Sequence, residues 1–72
     1  MENKINKLIK TYQNKIHLLE KLISMNVEII KQERESKQID QESIDELKRE
    51  NYKSNAVRQA YIQFLVDIDS LV

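Results

Sequence analysis

The sequence predicts an all-α fold: an antiparallel, coiled-coil-like hairpin of two helices that dimerises into a four-helix bundle. Three observations carry this expectation. Isoleucine recurs every seven residues through the first half, at Ile9, Ile16, Ile23 and Ile30. A stretch poor in large apolar residues, Lys31 to Gln41, ends in the signature of a helix start. Glycine and proline are both absent. Without the residues that supply positive φ or a fixed kink, tight strand hairpins and glycine-rich phosphate loops are disfavoured.

The 72 residues are expected to form one domain, 1–72. A first helix covers about 3–36, a turn about 37–40 and a second helix about 41–71. In the first helix Ile5, Tyr12, Leu19 and Asn26 interleave with the four isoleucines. The alternating spacing of four and three is a heptad seam with isoleucine at every a position. A second seam runs beside it through Leu18, Leu22, Met25 and Ile29. Together the two seams widen the apolar arc to roughly 150°, which suits a helix with more than one neighbour.

The turn is read from Asp40, whose carboxylate suits an N-cap because it can accept from the free amides of the next turn. Ile39 and Ile44 then stand at the spacing of a hydrophobic staple. Glu42 and Asp45 place negative charge near the positive end of the helix dipole, and Lys37 suits the end of the first helix. Ser43 with Glu46 is a competing capping box, but only a start at Asp40 brings the staple.

The second helix carries Val57, Tyr61, Phe64, Ile68 and Leu71 on one seam. Part of another, beginning at Arg58 and interrupted by Asp69, runs through Ile62, Leu65 and Val72. Its first half is thinner, with Ile44 and Leu47 followed by Asn51, Ser54 and Asn55. The small residues Ala56 and Ala60 are expected to face Leu19 and Ile16.

One unbroken helix in a coiled coil, about 100 Å long, is the alternative, because no glycine marks the end of the first helix. Charge favours the hairpin. Residues 1–37 carry eight basic and five acidic side chains, and residues 38–72 carry four and seven. An antiparallel fold brings Lys4 and Lys7 toward Asp67 and Asp69 and sets Asn26 near Asn51. Exposed pairs of this kind contribute only about 0–1 kcal/mol each, so they select orientation more than they stabilise. Two long helices lying antiparallel would satisfy the same charges.

Both helices carry more apolar surface than a single pair can hide. The expected interface for a second copy or a partner protein is Leu18, Leu22, Met25 and Ile29 with Tyr61, Ile62, Leu65, Ile68 and Val72. Asn26, a polar residue on an apolar seam, reads either as a partly wet position near the polar half of the helix or as a buried amide that fixes register by bonding to Asn51.

Little in the sequence points to chemistry. Cysteine is absent and there is a single histidine, so disulfides are excluded and no metal or other cofactor is expected. His17 and Glu20 share a helical face but point outward. Asp67 with Asp69, and Asp40 with Glu42 and Asp45, lack the glycine turn and ligand spacing of a calcium loop. No serine has a histidine and a carboxylate in evident triad order. No enzymatic activity and no small-molecule substrate are expected.

The twelve basic and twelve acidic residues cancel, leaving no global field toward nucleic acid or anionic membrane. The alternative functional expectation is an RNA- or DNA-binding hairpin dimer. It would use the outer face of the first helix: Lys7, Lys10, Asn14, His17, Lys21 and Lys31. Glu28 and Glu35 interrupt that strip, and no aromatic platform accompanies it. The first residues lack an apolar signal-peptide core, and Ala60 to Val72 is shorter than a membrane span and contains two aspartates. A cytoplasmic location without membrane association is expected by default. The leading expectation is a helical interaction module that self-associates through its heptad seams and binds a partner protein in a regulatory, inhibitory or scaffold role.

Overall fold

The computed structural model describes residues 3–71 as two helices, α1 (Lys4–Glu35) and α2 (Gln41–Leu71), packed against each other as a hairpin. The single continuous helix is excluded. Contacts fix the antiparallel register. Tyr12 meets Tyr61 and Phe64 at the open end, Glu20 meets Arg58, and Asn26 meets Asn51. The molecule measures 56 × 20 × 12 Å, one layer of helices and no more.

Side chains close the ends of α1. Asn3 has extended backbone, and its side-chain oxygen accepts from the Asn6 amide at 2.8 Å. At the other end Ser36 leaves the helix with extended torsions, φ −76° and ψ 158°. Its N–H returns to the Glu33 carbonyl at 3.2 Å, and its hydroxyl reaches the same carbonyl at 2.7 Å and that of Gln38 at 2.8 Å. A left-handed residue would normally satisfy these orphan carbonyls. Here Ser36 covers one of them, the Glu33 carbonyl, without positive φ, so the helix stops in a chain without glycine.

Two further bonds hold the turn. The Glu33 carboxylate accepts from the Asp40 amide at 3.1 Å, so the last turn of α1 grips the residue that begins α2. Asp40 accepts from the Ser43 amide at 3.3 Å and from its hydroxyl at 3.2 Å, the geometry of an N-cap. Ile39 remains half-exposed, whereas Ile44 is 1% exposed.

Between the helices runs one continuous seam. On α1 the less exposed positions are Ile9, Tyr12, Ile16, Leu19, Ile23, Asn26, Ile30 and Glu33. On α2 they are Ile44, Leu47, Asn51, Ser54, Arg58, Tyr61, Leu65 and Ile68. Both sets alternate steps of three and four, the heptad of an antiparallel pair. Ile44 and Ile30, at 1% and 8% exposure, are buried beside the turn. Aromatic packing closes the opposite end: Tyr12 and Tyr61 meet edge to face at 5.1 Å, and Tyr12 and Phe64 lie 4.6 Å apart.

The seam of α2 differs from the expected one. Val57, Phe64 and Leu71 are not on it, while the polar Asn51, Ser54 and Arg58 are. Ala56 and Ala60 are exposed rather than turned toward Leu19 and Ile16. A heptad running back from Ile68 and Leu65 passes through Arg58 and Ser54, which leaves both alanines on the outside. The expected approach of Lys4 and Lys7 to Asp67 and Asp69 also yields no ion pair among these four residues. Among the described residues an interhelical ion pair instead joins Glu20 to Arg58 at 3.8 Å.

Candidate interaction surface

A two-helix layer has two broad sides, and the heptad decides which residues line each. In an antiparallel pair, the positions one before the seam residues lie on the same side for both helices. On α1 these are Leu8, Lys15, Leu22 and Ile29, with Leu18 and Met25 just outside them. On α2 they are Glu50, Val57, Phe64 and Leu71, with Lys53, Ala60 and Asp67 outside. Contacts across the seam support this assignment. The Lys15 ammonium lies 4.9 Å from the Tyr12 ring centre and 5.7 Å from that of Tyr61. A shallow groove on this side is lined by Lys15, Leu18, Leu19, Leu22 and Tyr61.

Along most of α1 and the half of α2 remote from the turn, this side is apolar and open. Leu8, Leu18, Leu22, Met25, Ile29, Val57 and Phe64 are each between 36% and 59% exposed, and Leu71 is 86% exposed. On a monomer, apolar atoms scattered singly need no explanation, but a contiguous stripe does.

The opposite side is mixed. Glu20 pairs there with Arg58, and Val27, Lys31, Arg34 and Lys48 line a groove near the turn. Ile62, Val66, Gln13 and Asp69 line another near the open end. Apolar residues on this side alternate with charges. The hairpin therefore has one predominantly apolar side and one mixed side.

A polar bridge interrupts the seam between them. The Asn26 side-chain amide donates to the Asn51 side-chain oxygen at 2.9 Å and approaches the Glu50 carboxylate at 3.4 Å. Asn51 in turn donates to the backbone carbonyl of Ile23 at 3.3 Å. Three of the groups facing each other across the seam are thus satisfied within the chain.

The residues singled out in the sequence separate into groups. Leu18, Leu22, Met25 and Ile29 share the apolar side. Tyr61, Leu65 and Ile68 sit in the seam itself, half-covered by α1, and Ile62 points to the mixed side. Val72 lies outside the described residues. Asn26 and Asn51 meet. Lys7, Lys10, Asn14, His17, Lys21 and Lys31 are all exposed, and Lys31 shares the groove near the turn with Lys48 of α2. Leu8, Val57 and Phe64 join the apolar side without having been assigned to it from sequence. Extending the heptad of α2 through its polar members would have found Val57 and Phe64, because Arg58 and Leu65 follow them directly.

Among the described residues no group of three or more His, Asp or Glu side chains is placed to share a metal ion. No helix among them is long and apolar enough to cross a membrane. Comparison with protein-family models, with curated proteins and with solved structures returns no match.

Proposed function

We propose that this chain is a non-enzymatic interaction protein that self-associates, two hairpins covering each other's apolar sides to make a four-helix bundle. The observation that carries this reading is the open stripe from Leu8 to Ile29 on α1, continued by Val57, Phe64 and Leu71 on α2. The accessible surface of the chain adds a magnitude. It is 6076 Å², whereas a compact monomer of 8.6 kDa exposes about 4700 Å². The excess, roughly 1400 Å², exceeds the ~800 Å² that each partner contributes to a standard stable interface. Burying one exposed leucine or phenylalanine fully is worth roughly 1.5–3 kcal/mol, so a handful of them decides the state of so small a chain.

It counts against catalysis that a layer 12 Å thick supplies no walls for a desolvated pocket. The side chains able to do acid–base work are spread along exposed edges. Light scattering coupled to gel filtration at tens of micromolar tests the reading. The expected molar mass is twice the 8.6 kDa of the chain. A single chain's mass, unchanged across concentration, would overturn it.

A further inference from the structure

The internal register of the hairpin also selects how a second copy sits. We propose that the two hairpins are related by a two-fold axis running parallel to the helices, with both turns at one end and each α1 antiparallel to the partner's α2. This rests on the self-association reading above.

The argument is one of heights. A rotation about an axis parallel to the helices leaves the height of every residue unchanged. What faces α1 across the interface is therefore the same level of α2 that faces it within the chain. That level is fixed by Asn26 beside Asn51 and Tyr12 beside Phe64. Within about a turn, Leu8 then meets the partner's Leu71, and Leu22 meets the partner's Val57. The bulky Leu18 meets the partner's Ala60, whose small side chain leaves room for it. Ala60 was exposed and unaccounted for in the seam of its own hairpin; here it has an occupant.

Charge agrees with the same placement. Helical side chains lean toward their own N-terminus. The Lys15 ammonium accordingly lies over Tyr12, and the Asp67 carboxylate accepts from the Gln63 amide group at 3.0 Å, one turn back. Tyr12 and Gln63 are at nearly one height. Lys15 therefore comes level with the partner's Asp67, twice per dimer.

The competing two-fold, with its axis across the helices, turns the second copy end over end. It lays α1 on the partner's α1 and α2 on the partner's α2. The apolar part of the α2 flank is confined to the half remote from the turn, while Ser43, Glu46, Glu50 and Lys53 fill the near half. Centred on the hairpin, the reversal sets Phe64 against the partner's Glu50 and Asp67 against the partner's Glu46. Carboxylates would face each other, whereas the parallel axis, although it sets Met25 and Ile29 near the partner's Lys53 and Glu50, brings no two carboxylates together because the apolar flank of α1 carries none.

The chain has no cysteine, so one introduced thiol is unique. Lys37→Cys, on the exposed turn, carries a nitroxide for pulsed dipolar distance measurement, and light scattering on the same sample gives the molar mass. Turns at one end predict a dimer with an interspin distance on the order of 25 Å, the width of a bundle with helices 8–10 Å apart plus the label arms. A dimer with a distance near 50 Å, about the rise of a 32-residue helix, overturns this arrangement and leaves self-association standing. A monomeric sample overturns both. As an independent readout, Lys15→Glu should weaken the dimer by up to about thirtyfold, since the pair occurs twice, and adding Asp67→Lys should restore it. Failure of the second change to restore the first contradicts the proposed facing.

Discussion

Asn26 and Asn51 meet side chain to side chain at 2.9 Å, one on each helix, at a level where α1 is otherwise lined by Ile23 and Ile30. A polar pair on an apolar seam adds less stability than two leucines would. What it adds is discrimination, because sliding either helix by a turn separates the two amides and leaves Asn51 facing an isoleucine. The bond from Asn51 to the Ile23 carbonyl reinforces this, since it ties α2 to one backbone atom of α1.

A double-mutant cycle measures the pair. Asn26→Ala and Asn51→Ala should each cost about 1 kcal/mol in urea denaturation, with a coupling of about 0.5–1.5 kcal/mol between them. Replacing both by leucine should instead raise the melting temperature while broadening the amide NMR spectrum as register loosens. Coupling indistinguishable from zero would remove the register role.

The turn rests on Ile44 as much as on its hydrogen bonds. Ile44→Ala, at the least exposed side chain in the hairpin, should cost about 2–5 kcal/mol, enough to unfold much of the population at 25 °C. Leu71→Ala, at the exposed end of α2, should change the stability of an isolated hairpin by less than about 0.5 kcal/mol. Circular dichroism against denaturant compares them directly, at concentrations low enough to disfavour association.

How far the fold is legible in the sequence differs between the two helices. In α1 every seam position from Ile9 to Ile23 is apolar, so the period of the hydrophobic residues is the period of the contact. In α2 the contact runs through Asn51, Ser54 and Arg58. Reading only the apolar residues there follows Val57, Phe64 and Leu71, which lie one position off the seam. An arginine can occupy such a position because a long methylene stem tolerates apolar surroundings while the charged head reaches Glu20. The same offset explains the site. The flank of Leu18, Leu22, Met25 and Ile29 is visible because it parallels a clean seam, whereas its continuation on α2 is hidden by a polar one. The turn was legible at Asp40 and not at Ser36, because no rule of composition marks a helix end made by a serine hydroxyl.

Asp40 and Ser43 compete for the start of α2, and the hydrogen bonds assign the cap to Asp40. Asp40→Ala should cost about 1 kcal/mol of unfolding free energy, and Ser43→Ala only a few tenths. The reverse order in a thermal or urea melt would move the helix start three residues on. Asp40→Asn should recover most of the loss, because an amide oxygen caps as well as a carboxylate.

The central claim, that one side of the hairpin is made to be covered and the other is not, is tested by two substitutions of matched exposure. Leu22 is 51% exposed on the apolar side and Val27 is 55% exposed on the mixed side. Leu22→Glu and Val27→Glu each place one carboxylate at mid-helix, and sedimentation equilibrium gives the mass of each. The expected result is a single chain for Leu22→Glu and a dimer for Val27→Glu. Dissociation by Val27→Glu with Leu22→Glu still dimeric, or indifference of the mass to both, would contradict the account.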